Sequence, residues 1–184
     1  VESSLSGVGR KVTAADALWY RTAFSVPKKW RKKNIRINFG AVDWASEVYL
    51  NGSLVGRHTG GYTSFSYDLT PYLTKGVQEL VVKVLDATDD NTQPRGKQVT
   101  EPRGIWYTPV SGIWQSVWLE PVSATSIEEY QVKTDIGKGT VSLNVAVSDS
   151  QSGDKVTVEV LEGAEGYDTA TPSKKVLARA SGAP

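Results

Sequence analysis

Within the long stretch of residues 86–112 the clustered acids are Asp86, Asp89 and Asp90, with other polar groups beside them. Hydrolysis of a glycoside by two carboxylates needs them roughly 5–9 Å apart, one with a raised pKa. The neighbours of these aspartates are polar, and nothing beside them would desolvate one acid. The stretch is therefore expected to be non-catalytic on its own. It reads as a solvated loop or, alternatively, as a calcium site built from Asp89, Asp90 and a backbone carbonyl. Sugar recognition demands less. The apolar face of a sugar ring stacks on Trp or Tyr, while its hydroxyls form hydrogen bonds with Asp, Asn, Gln and Arg. Residues 86–112 offer Asp89, Asp90, Asn91, Gln93, Arg95, Lys97 and Gln98, followed by Trp106 and Tyr107. Asp89, Asp90, Asn91, Arg95 and Lys97 are the candidate binding residues.

Other chemistries find little support. His58 is the single histidine, so a serine nucleophile would have only this base. In Gly56-Arg57-His58-Thr59-Gly60-Gly61-Tyr62 it reads instead as a strand histidine with a satisfied hydrogen bond. Gly60-Gly61 lacks the helix with Lys-Ser/Thr that a phosphate cradle requires, and is read as a sharp turn. The absence of cysteine removes disulfides, thiolate nucleophiles and zinc fingers, and one histidine cannot make a multi-histidine metal centre. No cofactor or metal is called for. The 21 basic and 20 acidic residues leave a net charge of +1, which argues against a nucleic-acid binder relying on a large positive field. No apolar run approaches the roughly 18 residues of a membrane helix. No methionine is present, so Val1 is not an untouched start and the chain reads as a piece of a longer protein.

The elements that must position these residues are strands. Apolar and polar residues alternate over Asn34 to Phe39 and again around Val48 and Leu50. Asn51-Gly52 between two such runs predicts a hairpin with a type I′ turn. The same residues form a glycosylation sequon with Ser53, but the turn accounts for them fully. Leu80, Val82 and Val84 make another strand whose second face, Val81 and Leu85, is also apolar, which predicts burial on both sides. Ile113, Val117 and Leu119 are expected to share one last strand with Trp114 and Trp118 as packing residues on its other face. Trp30 and Trp44 lie near polar turns, where binding and packing both remain open. Residues 1–122 thus read as an antiparallel β-sandwich, closed by Pro121.

Beyond a short polar connection the tryptophans cease. Val141, Leu143, Val145 and Val147 alternate with small polar residues, a turn follows at 149–153, and Val156, Val158 and Val160 are expected to form the partner strand. Val176–Ala178 is a further candidate strand. The pattern is immunoglobulin-like, but such a domain takes about 100 residues, so 123–184 is expected to be partial, with exposed strand edges.

Several ordered motifs are similar to those of the sugar-binding domain of family 2 glycoside hydrolases, the β-galactosidase and β-glucuronidase group. They are Trp19-Tyr20-Arg21-Thr22-Ala23-Phe24, then Val48-Tyr49-Leu50-Asn51-Gly52 leading to His58-Thr59-Gly60-Gly61-Tyr62, Phe65 and Asp68-Leu69-Thr70. Gln93-Pro94-Arg95-Gly96-Lys97-Gln98, Gly104-Ile105-Trp106-Tyr107 and the run from Ser111 to Leu119 complete the resemblance, which covers residues 17–122. It implies an all-β chain, a jelly-roll β-sandwich followed by a partial immunoglobulin-like β-sandwich, from a bacterial enzyme. It also implies a catalytic (β/α)8 barrel outside these residues, carrying the two glutamates of a retaining mechanism; the chain has no Asn-Glu pair and cannot hold such a barrel of about 250 residues. The expected partners are a carbohydrate with a terminal β-linked sugar and that barrel, with neither nucleic acid nor membrane. Asp89 or Asp90 matches a family loop residue that reaches sugar hydroxyls, and Arg95 and Lys97 belong to a turn that braces the barrel or touches sugar. A periplasmic or extracellular setting is favoured over a cytoplasmic one.

Overall fold

A computed structural model describes residues 7–162 and 175–184, and the chain divides into two compact units that meet in sequence at Val122 and Ser123. The first unit contains β1 (Leu18–Ser25), β2 (Asn34–Phe39), β3 (Val42–Asp43), β4 (Ala45–Leu50), β5 (Ser53–Thr59), β6 (Phe65–Asp68), β7 (Val77–Leu85), β8 (Gly112–Ile113) and β9 (Val117–Val122). They assemble into antiparallel sheets of order β1-β7-β4-β5 and β6-β2-β9, with β3 and β8 as a separate short pair. This is a β-sandwich.

Period-two alternation explains the core. β2 buries Ile35, Ile37 and Phe39, β4 buries Val48 and Leu50, and β7 buries Leu80, Val82 and Val84. Side chains from both sheets join Val42 and Leu69 in one cluster. Each buried Ile, Leu or Phe contributes about 1.5–3 kcal/mol, and Phe39 adds a stacked contact with Phe65 at 4.7 Å. The hairpin is present: Asn51 (φ 52°) and Gly52 (φ 80°) carry the positive φ values that a type I′ turn demands. Pro121 pairs with Ile35 on β9, an edge strand, where a missing backbone donor costs no ladder bond to a further strand.

Three strand expectations of the first unit need correction. β7 is not buried on both faces: its second face lies in a layer of charged groups, with Arg21 bonded to Glu79, Arg57 and Lys83 to Glu47, and Lys83 above Trp19. Exposed Leu85 shares that face. The run from Ile113 to Leu119 is two strands, because the pairing is irregular at Trp114 to Ser116, where only the Trp114 N–H to Ala41 carbonyl (3.4 Å) and Gly40 N–H to Ser116 carbonyl (2.9 Å) bonds remain; β8 pairs with β3 while β9 pairs with β2. Trp114 and Trp118 are not packing residues, being 46% and 47% exposed.

The second unit holds β10 (Ser126–Asp135), β11 (Thr140–Ser148), β12 (Val156–Leu161) and β13 (Val176–Gly182). The expected pairing of the Val141 and Val156 strands is replaced by two antiparallel ribbons, β10-β11 and β12-β13. β10 supplies the partner that alternation did not reveal, because Glu128, Glu129, Gln131 and Lys133 interrupt its apolar residues. Among its described residues none is fully buried.

Residues 86–111 join β7 to β8, and their polar anchor is Asp86. This residue is buried rather than solvated. Its Oδ1 accepts from the Thr88 backbone N–H at 2.8 Å and the Gln93 side-chain amide at 2.5 Å, and its Oδ2 from the Ser111 hydroxyl at 2.6 Å. The loop then folds on itself, the Tyr107 N–H donating to the Lys97 carbonyl at 2.8 Å and the Val99 N–H to the Tyr107 carbonyl at 3.1 Å. At the far end Gly112 has φ +99°, and a Cβ there would sit 2.0 Å from the Tyr20 hydroxyl oxygen. Gly112→Ala is expected to destabilise the first unit by about 2–3 kcal/mol, through forced positive φ and overpacking. A denaturant midpoint measured against the parent protein checks this.

Candidate functional site

At the end of the sandwich where β7 finishes, four segments enclose an open cleft of about 410 Å³. β3 contributes Asp43, the β5–β6 turn Tyr62, the long loop Arg95, Gly96, Lys97, Gln98, Tyr107, Thr108 and Val110, and the residue after β8 Trp114.

Each wall is held from behind. The Gly60-Gly61 pair makes the expected sharp turn: Gly60 has φ +129° and its N–H donates to the Trp44 carbonyl at 3.2 Å. His58 lies in β5 with its ring hydrogen-bonded, as expected. Its Nε2 lies 3.3 Å from the Gly60 carbonyl and 3.1 Å from the Thr63 hydroxyl, and its ring stacks on Phe65 at 4.0 Å. Gly61 lies against buried Asp43, where a Cβ would fall 2.4 Å from Oδ1. The Gly61 carbonyl accepts from Trp114 Nε1 at 2.7 Å, which orients that indole, and Tyr62 meets the same ring edge-on at 6.0 Å. Trp114 thus has a satisfied polar end and an exposed ring, the arrangement a sugar face stacks on.

The loop side carries the cations. Arg95 lies 5.7 Å from the Trp106 ring centroid and Lys97 5.8 Å from that of Tyr107. The Val110 N–H donates to Gln98 Oε1 at 2.5 Å. Of the candidate residues, Arg95 and Lys97 line the cleft. Asp89 stands behind them: its Oδ1 accepts from the Thr100 N–H at 3.0 Å and from the Thr100 hydroxyl, and its Oδ2 lies 3.5 Å from the Arg95 guanidinium. Asp90 and Asn91 are exposed on the same loop and do not line the cleft. Asp43, Tyr62 and Trp114 were missed as site residues. The signal available was an aromatic directly after a double glycine, at Tyr62.

The Thr100 hydroxyl and amide, assisted by Arg95, hold the Asp89 carboxyl below its ordinary range. A lowered folded value stabilises the ionised loop fully above the ordinary carboxylate pKa of about 3.9, and that contribution dwindles as pH falls through the folded value. Near-ultraviolet circular dichroism of the loop tryptophan is therefore expected to stay constant from pH 7 to about 5 and to change below about 4. Asp89→Asn should remove that acid transition.

Chemically the cleft presents aromatic surface, cationic donors, amide groups and one carboxylate, Asp43. A polyol can be gripped by this set, whereas a pair of acids in the sense of a glycosidase mechanism is lacking among the lining residues. Among the described residues no group of three or more His, Cys, Asp or Glu comes together as a metal site.

Residues 8–123 match the model of the sugar binding domain of glycosyl hydrolases family 2. The β-galactosidase BoGH2A of Bacteroides ovatus is 35% identical over 172 residues, covering 90% of this chain and 19% of the relative. A putative β-glucuronidase of Formosa agariphila is 34% identical over 162 residues, 86% of this chain and 14% of the relative. The chain thus spans less than a fifth of the length of these curated relatives. Among solved structures, a β-glycosidase from Bacteroides vulgatus matches with a TM-score of 0.64 at 29% identity, over 91% of this chain and 20% of its own. The β-glucuronidase from Ruminococcus gnavus in complex with uronic deoxynojirimycin gives 0.66 at 27% identity, over 91% and 28%. By the family match and by these relatives, the chain belongs to glycosyl hydrolases family 2, and its first unit is the family's sugar binding domain.

Proposed function

We propose that this chain is the non-catalytic front of a retaining exo-glycosidase that hydrolyses terminal β-glycosides, β-galactosidase-like in its choice of sugar, and that the cleft shapes the sugar subsite. The acids that break the bond then lie on a (β/α)8 barrel of the same polypeptide. Residues 123–184 are the opening part of the immunoglobulin-like domain between the two. The observation that carries this reading is the composition of the cleft, a fixed indole and two cations around a single acid. In this reading Trp114 and Tyr62 present ring surface, Arg95, Lys97 and Gln98 donate to hydroxyls, and Asp89 positions Arg95. Asp90 and Asn91, exposed at the loop tip, meet the outer part of the glycan. The lack of any fully buried described residue in the second unit supports its being incomplete.

Two measurements test the proposal. In the complete polypeptide, Trp114→Ala is expected to raise KM for a chromogenic β-galactoside about tenfold with a smaller change in kcat, as removal of a binding contact does. An unchanged KM would take the cleft off the substrate's path. Titration calorimetry of the chain alone with galactose, lactose and neutral oligosaccharides should give a Kd no tighter than about 1 mM. Micromolar binding would mark a free-standing carbohydrate-binding module instead.

A further inference from the structure

The opposite end of the sandwich carries a second cleft, of about 860 Å³, lined by Ser25, Val26 and the following turn, and by residues 73–78. It lies where β1 ends and β7 begins, one length of β7 away from the loop of the first site. Nine extended residues put that separation at about 30 Å.

Its lining takes Lys28, Trp30, Arg31 and Lys33 from the run Lys28-Lys29-Trp30-Arg31-Lys32-Lys33, five cations in six residues, and Lys75 from residues 73–78. Neither residues 25–42 nor residues 69–78 contain an Asp or Glu. Among the described residues, no carboxylate pairs with Lys28, Lys29, Arg31, Lys32 or Lys75. All six cations are exposed, while Trp30 is half-buried beside Ile35 and Leu73.

The scaffold beneath them is tied together by hydrogen bonds. Buried Gln78 donates from Nε2 to the Thr74 and Gly76 carbonyls, both at 2.8 Å. Its Oε1 accepts from the Thr74 N–H and the Asn51 amide, again at 2.8 Å. The Thr70 hydroxyl accepts from the Ile35 N–H at 2.8 Å, tying the 70–76 turn to β2. Backbone bonds Trp30 to Pro27 and Lys33 to Trp30, each 2.9 Å, coil the cationic run into a compact turn.

So dense a row of cations repels itself, and an anionic ligand with several charges in sequence relieves that repulsion where a single anion cannot. The half-buried Trp30 adds a ring on which the face of a sugar or a nucleic-acid base can stack, and the match of this unit to a sugar binding domain favours the sugar. We propose that this cleft binds an anionic polysaccharide. Its sulfated or uronic sugars lie across Trp30, with their charged groups on Lys28, Arg31 and Lys75. This cleft shares no lining residue with the first.

The test is affinity electrophoresis and calorimetry of the chain at low salt with dextran sulfate and polygalacturonate, against uncharged dextran and a single-stranded DNA oligonucleotide. The expected result is binding to the sulfated or uronic polymer, none to dextran, and a Kd weakened about tenfold or more in Lys28→Ser/Arg31→Ser/Lys75→Ser. Trp30→Ala should weaken binding without altering its salt dependence. Lys133→Ser/Lys138→Ser/Lys155→Ser, which removes the same charge from the second unit, should bind as the parent does. Equal loss in that control, undiminished binding by the first triple variant, or tighter binding to DNA than to either glycan would overturn the assignment.

Discussion

Everything at the first cleft hangs on one buried carboxylate. Asp86 leaves β7 and enters the interior, where a charge is tolerated only if donors surround it. Thr88 and Gln93 supply donors from the loop's beginning and Ser111 from its end, so a single side chain closes a segment of some twenty-five residues into a ring. A long connection ordered by polar bonds, rather than by apolar packing, can leave its own aromatic residues outward. That is why Ile105, Trp106 and Tyr107 stand exposed on a loop that is nevertheless pinned.

The sandwich beneath contributes precision of another kind. Asp43, Gly61 and Trp114 come from places far apart in sequence, yet each is fixed by a neighbour of the others. The Gly61 carbonyl takes the indole N–H, and the missing Cβ of Gly61 makes room for the Asp43 carboxylate. The β3–β8 pair holds the two ends of this arrangement in register. The stacking surface is thereby set before any ligand arrives, so that little rotamer entropy remains to be lost on binding.

Strand alternation made most of the first unit legible, because Ile35, Ile37, Phe39, Val48 and Val82 each lie on one face of a two-sided element. The Asn51-Gly52 turn was legible for a conformational reason that needs no tertiary context. What remained hidden had tertiary causes. Trp114 and Trp118 look like core residues until β8 and β9 part, since nothing local says that a ladder stops at Trp114. Asp86 looks like its solvated neighbours, for the Ser111 that buries it is twenty-five positions away. β10 was concealed by its charges, which an edge ribbon with two wet faces accommodates. Arg95 and Lys97 were identifiable by type, whereas the role of Asp89 behind Arg95 needed coordinates. The cationic run at 28–33 was visible throughout, but a whole-chain charge of +1 averages it away; local density, not the sum, is what a ligand feels.

The position of β9 has a consequence for how the protein comes into being. β2 sits in the middle of its sheet with β6 on one side, close in sequence, and β9 on the other, the last strand of the unit. During synthesis the ribosome must deliver Val117–Val122 before the flank of β2 can be covered, and non-local pairing of this sort is slow. Until then the nascent chain carries an open seam beside Ile35, Ile37 and Phe39. Counted from the end of β6, that wait spans residues 69–122, close to half of the first unit, so the sheet is the last part of the sandwich to be sealed.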